Sequence, residues 1–98
     1  MPRVFFTAAA RADLDDALSW YGTRAPEMVP PLRAAIRATI ARIGDNPKQF
    51  PVSPYQTRRA LLRRFPYLII FRETRFAIYV VAVFHMSRNP KIWQSRTP

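Results

Sequence analysis

The chain holds a single histidine, His85, where an apolar run passes into a basic, aromatic ending, VVAVFHMSRNPKIWQSR (80–96). Histidine is the side chain whose unperturbed pKa lies near neutrality, so it can take or give a proton in the physiological range. Arg88, Lys91, Trp93 and Arg96 follow closely. Such a cluster suits a catalytic centre, a surface that holds another macromolecule, or the plain end of a small fold. A lone histidine without a partner triad is a weak signature of catalysis. The simplest account of His85 is a ring that ends a strand, hydrogen-bonded to backbone or tail. Trp93 reads first as a packing anchor that pins the tail. Arg88 and Arg96, on a polar segment, are better placed for contact with a partner.

The elements that carry these groups follow from hydrophobic period. VFFT (4–7) is short, apolar and rich in β-formers, an opening strand, with Thr7 placed to cap a helix. Ala10, Leu14, Ala17, Leu18 and Tyr21 then fall on one helical face. Asp13, Asp15 and Asp16 lie in the N-terminal half of that helix, where the macrodipole favours negative charge. No histidine or further acid is near enough in sequence to complete a hard-cation shell, so we expect a solvated face there and no metal.

Gly22 and Pro26 interrupt the pattern. A second helix follows with Val29, Leu32, Ile36, Thr39, Ile40 and Ile43 on its apolar stripe, and with Arg33 and Arg37 as solvated charge. Pro30 and Pro31 confine its start to the first turn, and Gly44, Asn46 and Pro47 supply its stop. The proline-rich stretch DNPKQFPVSPYQT (45–57) reads as a loop. RRALLRRF (58–65) and YLIIFRE (67–73) read as strands, and a tight turn near Thr74 and Arg75 leads into FAIYVVAVFH (76–85). The order is β-α-α-β-β-β, an α+β domain spanning residues 1–98.

The last strand is apolar on both faces, which marks a central strand. Strict alternation puts Phe76, Ile78, Val80, Ala82 and Phe84 on one face and Ala77, Tyr79, Val81 and Val83 on the other. Two helices can cover only one face of so small a sheet. The other must be covered by the tail, by a second copy or by a partner, because a bare apolar patch of several hundred Å² usually marks an interaction site.

Charge narrows the partners. The 16 basic residues against 6 acidic ones leave a net charge of +10, which attracts nucleic acid, anionic membrane or acidic protein. Residues 46–98 carry ten of the basic groups and only Glu73 in opposition, so the positive field belongs to the strands and tail. With no cysteine, disulfides and thiolate metal sites are excluded. The longest apolar run, Phe76 to Phe84, is far shorter than the ~20 residues of a membrane helix. A soluble cytoplasmic protein with no cofactor and no membrane association is expected.

Read together, AARADLDDALSWY, NPKQFP, RRALLRRFPYLIIFRE and VVAVFHMSRNPKIWQSR resemble the RelE/ParE family of bacterial toxins, over almost the whole chain. The resemblance implies a helical hairpin packed on one face of a twisted antiparallel sheet. It also implies a toxin of a type II toxin–antitoxin pair, neutralised by a cognate acidic or amphipathic, ParD-like antitoxin in a hetero-oligomer. An amphipathic acidic segment suits an apolar surface rimmed by arginine, and Arg59, Leu61, Arg63, Tyr79, Val81 and Val83 are the expected antitoxin contacts.

The family divides by target. RelE-like members cut mRNA on the ribosome. ParE-like members poison DNA gyrase without being nucleases. For cleavage, His85 would act as acid or base, with Arg59, Arg63, Arg64, Arg72 and Arg88 available around a phosphate; His85, Arg88, Arg63 and Arg64 would form the catalytic set. This chain lacks the lysine cluster on the strands and the tyrosine near the C terminus that several family nucleases carry. The resemblance therefore leans to the ParE-like branch, acting by binding, with gyrase as target and Arg88, Lys91, Trp93 and Arg96 as target contacts. A ribosome-dependent endonuclease and a non-toxic antitoxin-binding module are the alternatives. Direct nucleic-acid binding also remains open.

Overall fold

A computed structural model describes residues 3–96. The chain runs β1 (Arg3–Phe6), α1 (Ala8–Arg24), a 3₁₀ turn (Pro26–Met28), α2 (Val29–Asp45), a second 3₁₀ turn (Pro47–Gln49), β2 (Val52–Ser53), β3 (Thr57–Leu61), β4 (Tyr67–Glu73), β5 (Ala77–His85) and the short α3 (Lys91–Gln94). The strands form one sheet in the order β1-β5-β4-β3-β2. The α+β class is as expected. The sheet is mixed, because β1 pairs with β5 in parallel while every other pair is antiparallel. Short turns force antiparallel neighbours, whereas β1 and β5 are joined only through both helices and the other strands, which leaves their polarity free.

The helical hairpin forms as the periodicity predicts. Thr7 caps α1, its hydroxyl accepting the Ala10 amide at 3.1 Å. Ala10, Leu14 and Ala17 of α1 and Leu32, Ile36, Thr39 and Ile43 of α2 are buried. α2 begins at Val29, so Pro30 and Pro31 fall in its first turn, and it continues through Gly44 to stop at Asn46. These stripes pack on Ala60, Ile69, Phe71, Ile78 and Val80, with Val4 and Phe6 partly buried beside them.

Strict alternation fails along β5. Ile70 pairs with Ala82 but Phe71 pairs with Val80, so Val81 is an extra residue, a β-bulge. A one-residue slip exchanges the faces of everything beyond it. Ile78, Val80 and Val83 therefore share the helix side. Val81, Ala82 and Phe84 look to the rear, where they cluster with Ile70 and Trp93. Two further expectations change. The basic strand stops at Leu61, since Arg64 enters the left-handed region at φ 70° and the Leu62 amide donates to the Tyr67 carbonyl to close the turn. The proline-rich loop contains β2 and a hairpin onto β3, with Tyr55 and Gln56 at φ 63° and 60°.

Candidate functional site

β1 stops short of β5, and the backbone that it leaves unpaired is filled by side chains. The Thr7 amide donates to the Val80 carbonyl, the last bond along that edge from the β1 side. Beyond it, the Val83 amide donates to Asp13 Oδ2 at 3.0 Å, and Arg96 Nη1 donates to the Val81 carbonyl at 3.2 Å. Arg96 also forks onto Asp13, Nη1 to Oδ2 at 2.6 Å and Nη2 to Oδ1 at 3.0 Å. Asp13 is thus structural, where a solvated helix face was expected. The hydrogen bond to Asp13 raises the Arg96 pKa above its ordinary value, with burial working against the shift and the charge of Asp13 with it.

The clasp seats Trp93, which is only 4% exposed against Ile70, Ala82 and Phe84. The chain's own tail therefore seals one part of the rear face. The structure displays the packing role read for Trp93 from sequence, and Trp93 and Arg96, also expected as target contacts, are instead taken up by this packing and by the clasp.

A cavity of about 420 Å³ opens beside the clasp, between α1 and the His85 end of β5. Asp13, Asp16, Trp20, Tyr21, Tyr67, His85, Ser87 and Arg88 line it. His85 Nδ1 accepts the Ser87 amide at 3.1 Å and lies 2.7 Å from the Ser87 hydroxyl. The ring stands edge-on to Tyr67, 5.0 Å between centroids. Burial is the main cause holding the Tyr67 phenol above its ordinary pKa, with Tyr21 adding to the shift and Arg88 opposing it.

The residues expected to surround a phosphate do not converge. Among the described residues, Arg88 is the one arginine lining the cavity. Arg63 and Arg64 lie exposed on the turn after β3, outside that lining. Arg59 donates to the Val52 carbonyl across the β2–β3 hairpin, and Arg72 reaches from β4 to the Tyr55 carbonyl at the tip of that hairpin. Two carboxylates, Asp13 and Asp16, share the cavity with Arg88. Among the described residues no cluster of three metal-ligating side chains exists.

The expected contact residues are likewise spread. Leu61 and Tyr79 are exposed, while Val81 belongs to the cluster around Trp93 and Val83 faces the helices. Lys91 is exposed on α3. A second surface escaped the sequence reading. Phe6, Leu14, Leu18, Ile36 and Ile40 line an apolar groove of about 230 Å³ between α1 and α2, with Arg33 and Arg37 on its wall. Its signal was present: Leu18 and Ile40 extend the two apolar stripes further than a simple hairpin contact needs.

Comparison with known proteins places this architecture. The family model for the ParE toxin of the type II toxin–antitoxin system, parDE, matches residues 4–90. The curated protein Toxin ParE2 of Mycobacterium tuberculosis, strain CDC 1551 / Oshkosh, is 34% identical over 79 residues, 80% of this chain and 75% of its own length. Toxin ParE2 of strain ATCC 25618 / H37Rv matches to the same extent. In fold, the chain superposes with a TM-score of 0.77 and 22% identity on a chain from the chromosomal ParDE TA system of P. aeruginosa, covering 89% of this chain and 98% of that one.

Proposed function

This chain belongs to the ParE toxins of type II toxin–antitoxin systems, and from that premise we propose that it acts in the cytoplasm by binding, with DNA gyrase as target and a ParD-like antitoxin as neutralising partner in a hetero-oligomer. The observation that carries binding over cleavage is the make-up of the His85 cavity. A phosphodiester brought there would meet one arginine, Arg88, opposed by Asp16, while Asp13 is already held by Arg96. The cavity therefore has no surplus of positive charge to stabilise what builds up when a phosphate is attacked. Arg88, exposed at the lining of that cavity, and Lys91, exposed on α3, are the side chains we put forward to touch the target.

For the antitoxin we assign the groove between α1 and α2. It is apolar along its floor and bears Arg33 and Arg37, which fits an amphipathic helix with acids along one edge. Substituting Leu18→Asp should therefore abolish capture by the antitoxin while leaving the His85 cavity intact.

The decisive experiment adds purified protein to a gyrase supercoiling reaction. Inhibition that the co-expressed antitoxin relieves is expected. Full supercoiling activity at saturating protein would end the gyrase reading. A second reading, a ribosome-dependent mRNA endonuclease, is favoured by the meeting of His85, Tyr67 and Arg88 in one cavity. Under it His85→Ala would slow mRNA cleavage by about a hundredfold. Absence of any cleavage at ribosomes removes it.

A further inference from the structure

The tail leaves the other end of the rear face open, and what stands there is neither plain apolar surface nor plain charge. Phe5 of β1 and Tyr79 of β5 are paired neighbours, 41% and 40% exposed, with their rings stacked 5.8 Å apart at 28°. Arg72 of β4 is the direct cross-strand partner of Tyr79. Adjacent strands lie about 4.8 Å apart, so two rings and a guanidinium form one row across three strands. Arg72 spends one donor on the Tyr55 carbonyl, which fixes the fork at the end of the row. By the pleat, Arg3 shares the face of Phe5, and Arg59 that of Arg72.

Among the described residues no acid enters this face. Asp13, Asp15 and Asp16 are on α1, Glu27 on the first 3₁₀ turn and Asp45 at the end of α2. Glu73 alternates with Arg72 to the helix side, where it pairs with Lys48 at 3.1 Å.

We propose that this row is a stacking platform for single-stranded nucleic acid, with bases lying on Tyr79 and Phe5 and the sugar–phosphate backbone running past Arg72, Arg59 and Arg3. Exposed aromatics on a sheet face offer bases a sequence-tolerant surface, and arginines beside them neutralise phosphates. A duplex keeps its bases inside and cannot use the rings. The site is separate from the His85 cavity and from the inter-helix groove, and it stands whether or not gyrase is the target.

The test is fluorescence anisotropy with labelled oligo(dT) and oligo(U), about twelve nucleotides long, at about 150 mM salt. Saturable binding is expected, weakened about tenfold or more by Tyr79→Thr, a substitution that keeps a strand former, and retained by Tyr79→Phe. A preference for oligo(U) assigns RNA, and equal binding assigns the shared chemistry. Arg33→Ala, on the helical side, removes the same charge as Arg72→Ala and should cost much less. Absence of saturable binding, equal losses from Arg33→Ala and Arg72→Ala, or polyglutamate binding with the same dependence on Tyr79 would each overturn the proposal. Unchanged thermal melting of Tyr79→Phe and Tyr79→Thr excludes loss of the fold as the cause.

Discussion

Arg96 grips Asp13 across 83 positions of sequence, and the pair occupies the stretch of β5 edge where β1 has ended. Together they supply a donor to the Val81 carbonyl and an acceptor to the Val83 amide, the bonds that a further strand would have made. An open edge is a template for unwanted pairing, and here it is closed by side chains from both sides of the sheet.

Breaking that clasp should cost more than an ordinary surface ion pair. Arg96→Ala strands a partly buried carboxylate, so a loss of about 2 kcal/mol is expected in denaturant unfolding. Arg96→Lys should lose part of it, because an ammonium keeps the charge but not the fork. A double-mutant cycle with Asp13→Asn should show strong coupling. In a Trp20→Phe background, Trp93 emission should move to the red when the clasp opens.

Trp93 is the second half of the same device. Trp93→Ala should destabilise by about 3 kcal/mol, the lower end of the range for a large aromatic because the short tail can relax around the gap. It should also uncover Ile70, Ala82 and Phe84, which are buried in the same cluster. Self-association measured by light scattering should rise, and adding the antitoxin should not reverse it if that partner lies in the helical groove.

The contrast between the hairpin and the sheet marks what local pattern can carry. Thr7, the apolar stripes and Pro30–Pro31 fix both helices through contacts a few residues apart, so their register was legible. The bulge at Val81 was not, because it depends on how Ile70 and Phe71 pair across the sheet, a relation that no single strand records. The same limit separated Val83 from Tyr79 and took Asp13 out of solvent. Two elements hidden in the proline-rich stretch, β2 and its hairpin, form through Arg59 and Arg72 reaching backbone carbonyls, contacts invisible to periodicity. Of the candidate residues, the role of Trp93 was readable from its chemistry, whereas the meeting of His85 with Tyr67 required the β4–β5 pairing.

The left-handed residues of the β2–β3 hairpin give a stabilising prediction. Gln56 sits at φ 60° with its side chain exposed at the hairpin tip. A non-glycine residue there costs about 1–2 kcal/mol, against about 0.5–1 kcal/mol of added unfolded-state entropy for glycine. Gln56→Gly should raise stability by about 0.5–1 kcal/mol, visible as a higher melting temperature. Gln56→Val, β-branched, should lower it.

Alkaline pH should unfold the protein partly through Tyr67. Its phenol is buried, and its pKa is raised above the ordinary 10.0 chiefly by that burial. A group whose folded pKa is raised holds its proton more tightly folded than unfolded. Its contribution is therefore complete below pH 10.0 and is lost as the pH climbs from there through the higher folded value. Urea midpoints measured across that window should fall with pH, and Tyr67→Phe should flatten the fall. Arg88 opposes the shift, so Arg88→Ala should move the Tyr67 titration, followed by tyrosinate absorbance, further upward. A downward move would mean that Arg88 does not face the phenol in solution, and the electrostatic picture of the His85 cavity would have to be redrawn.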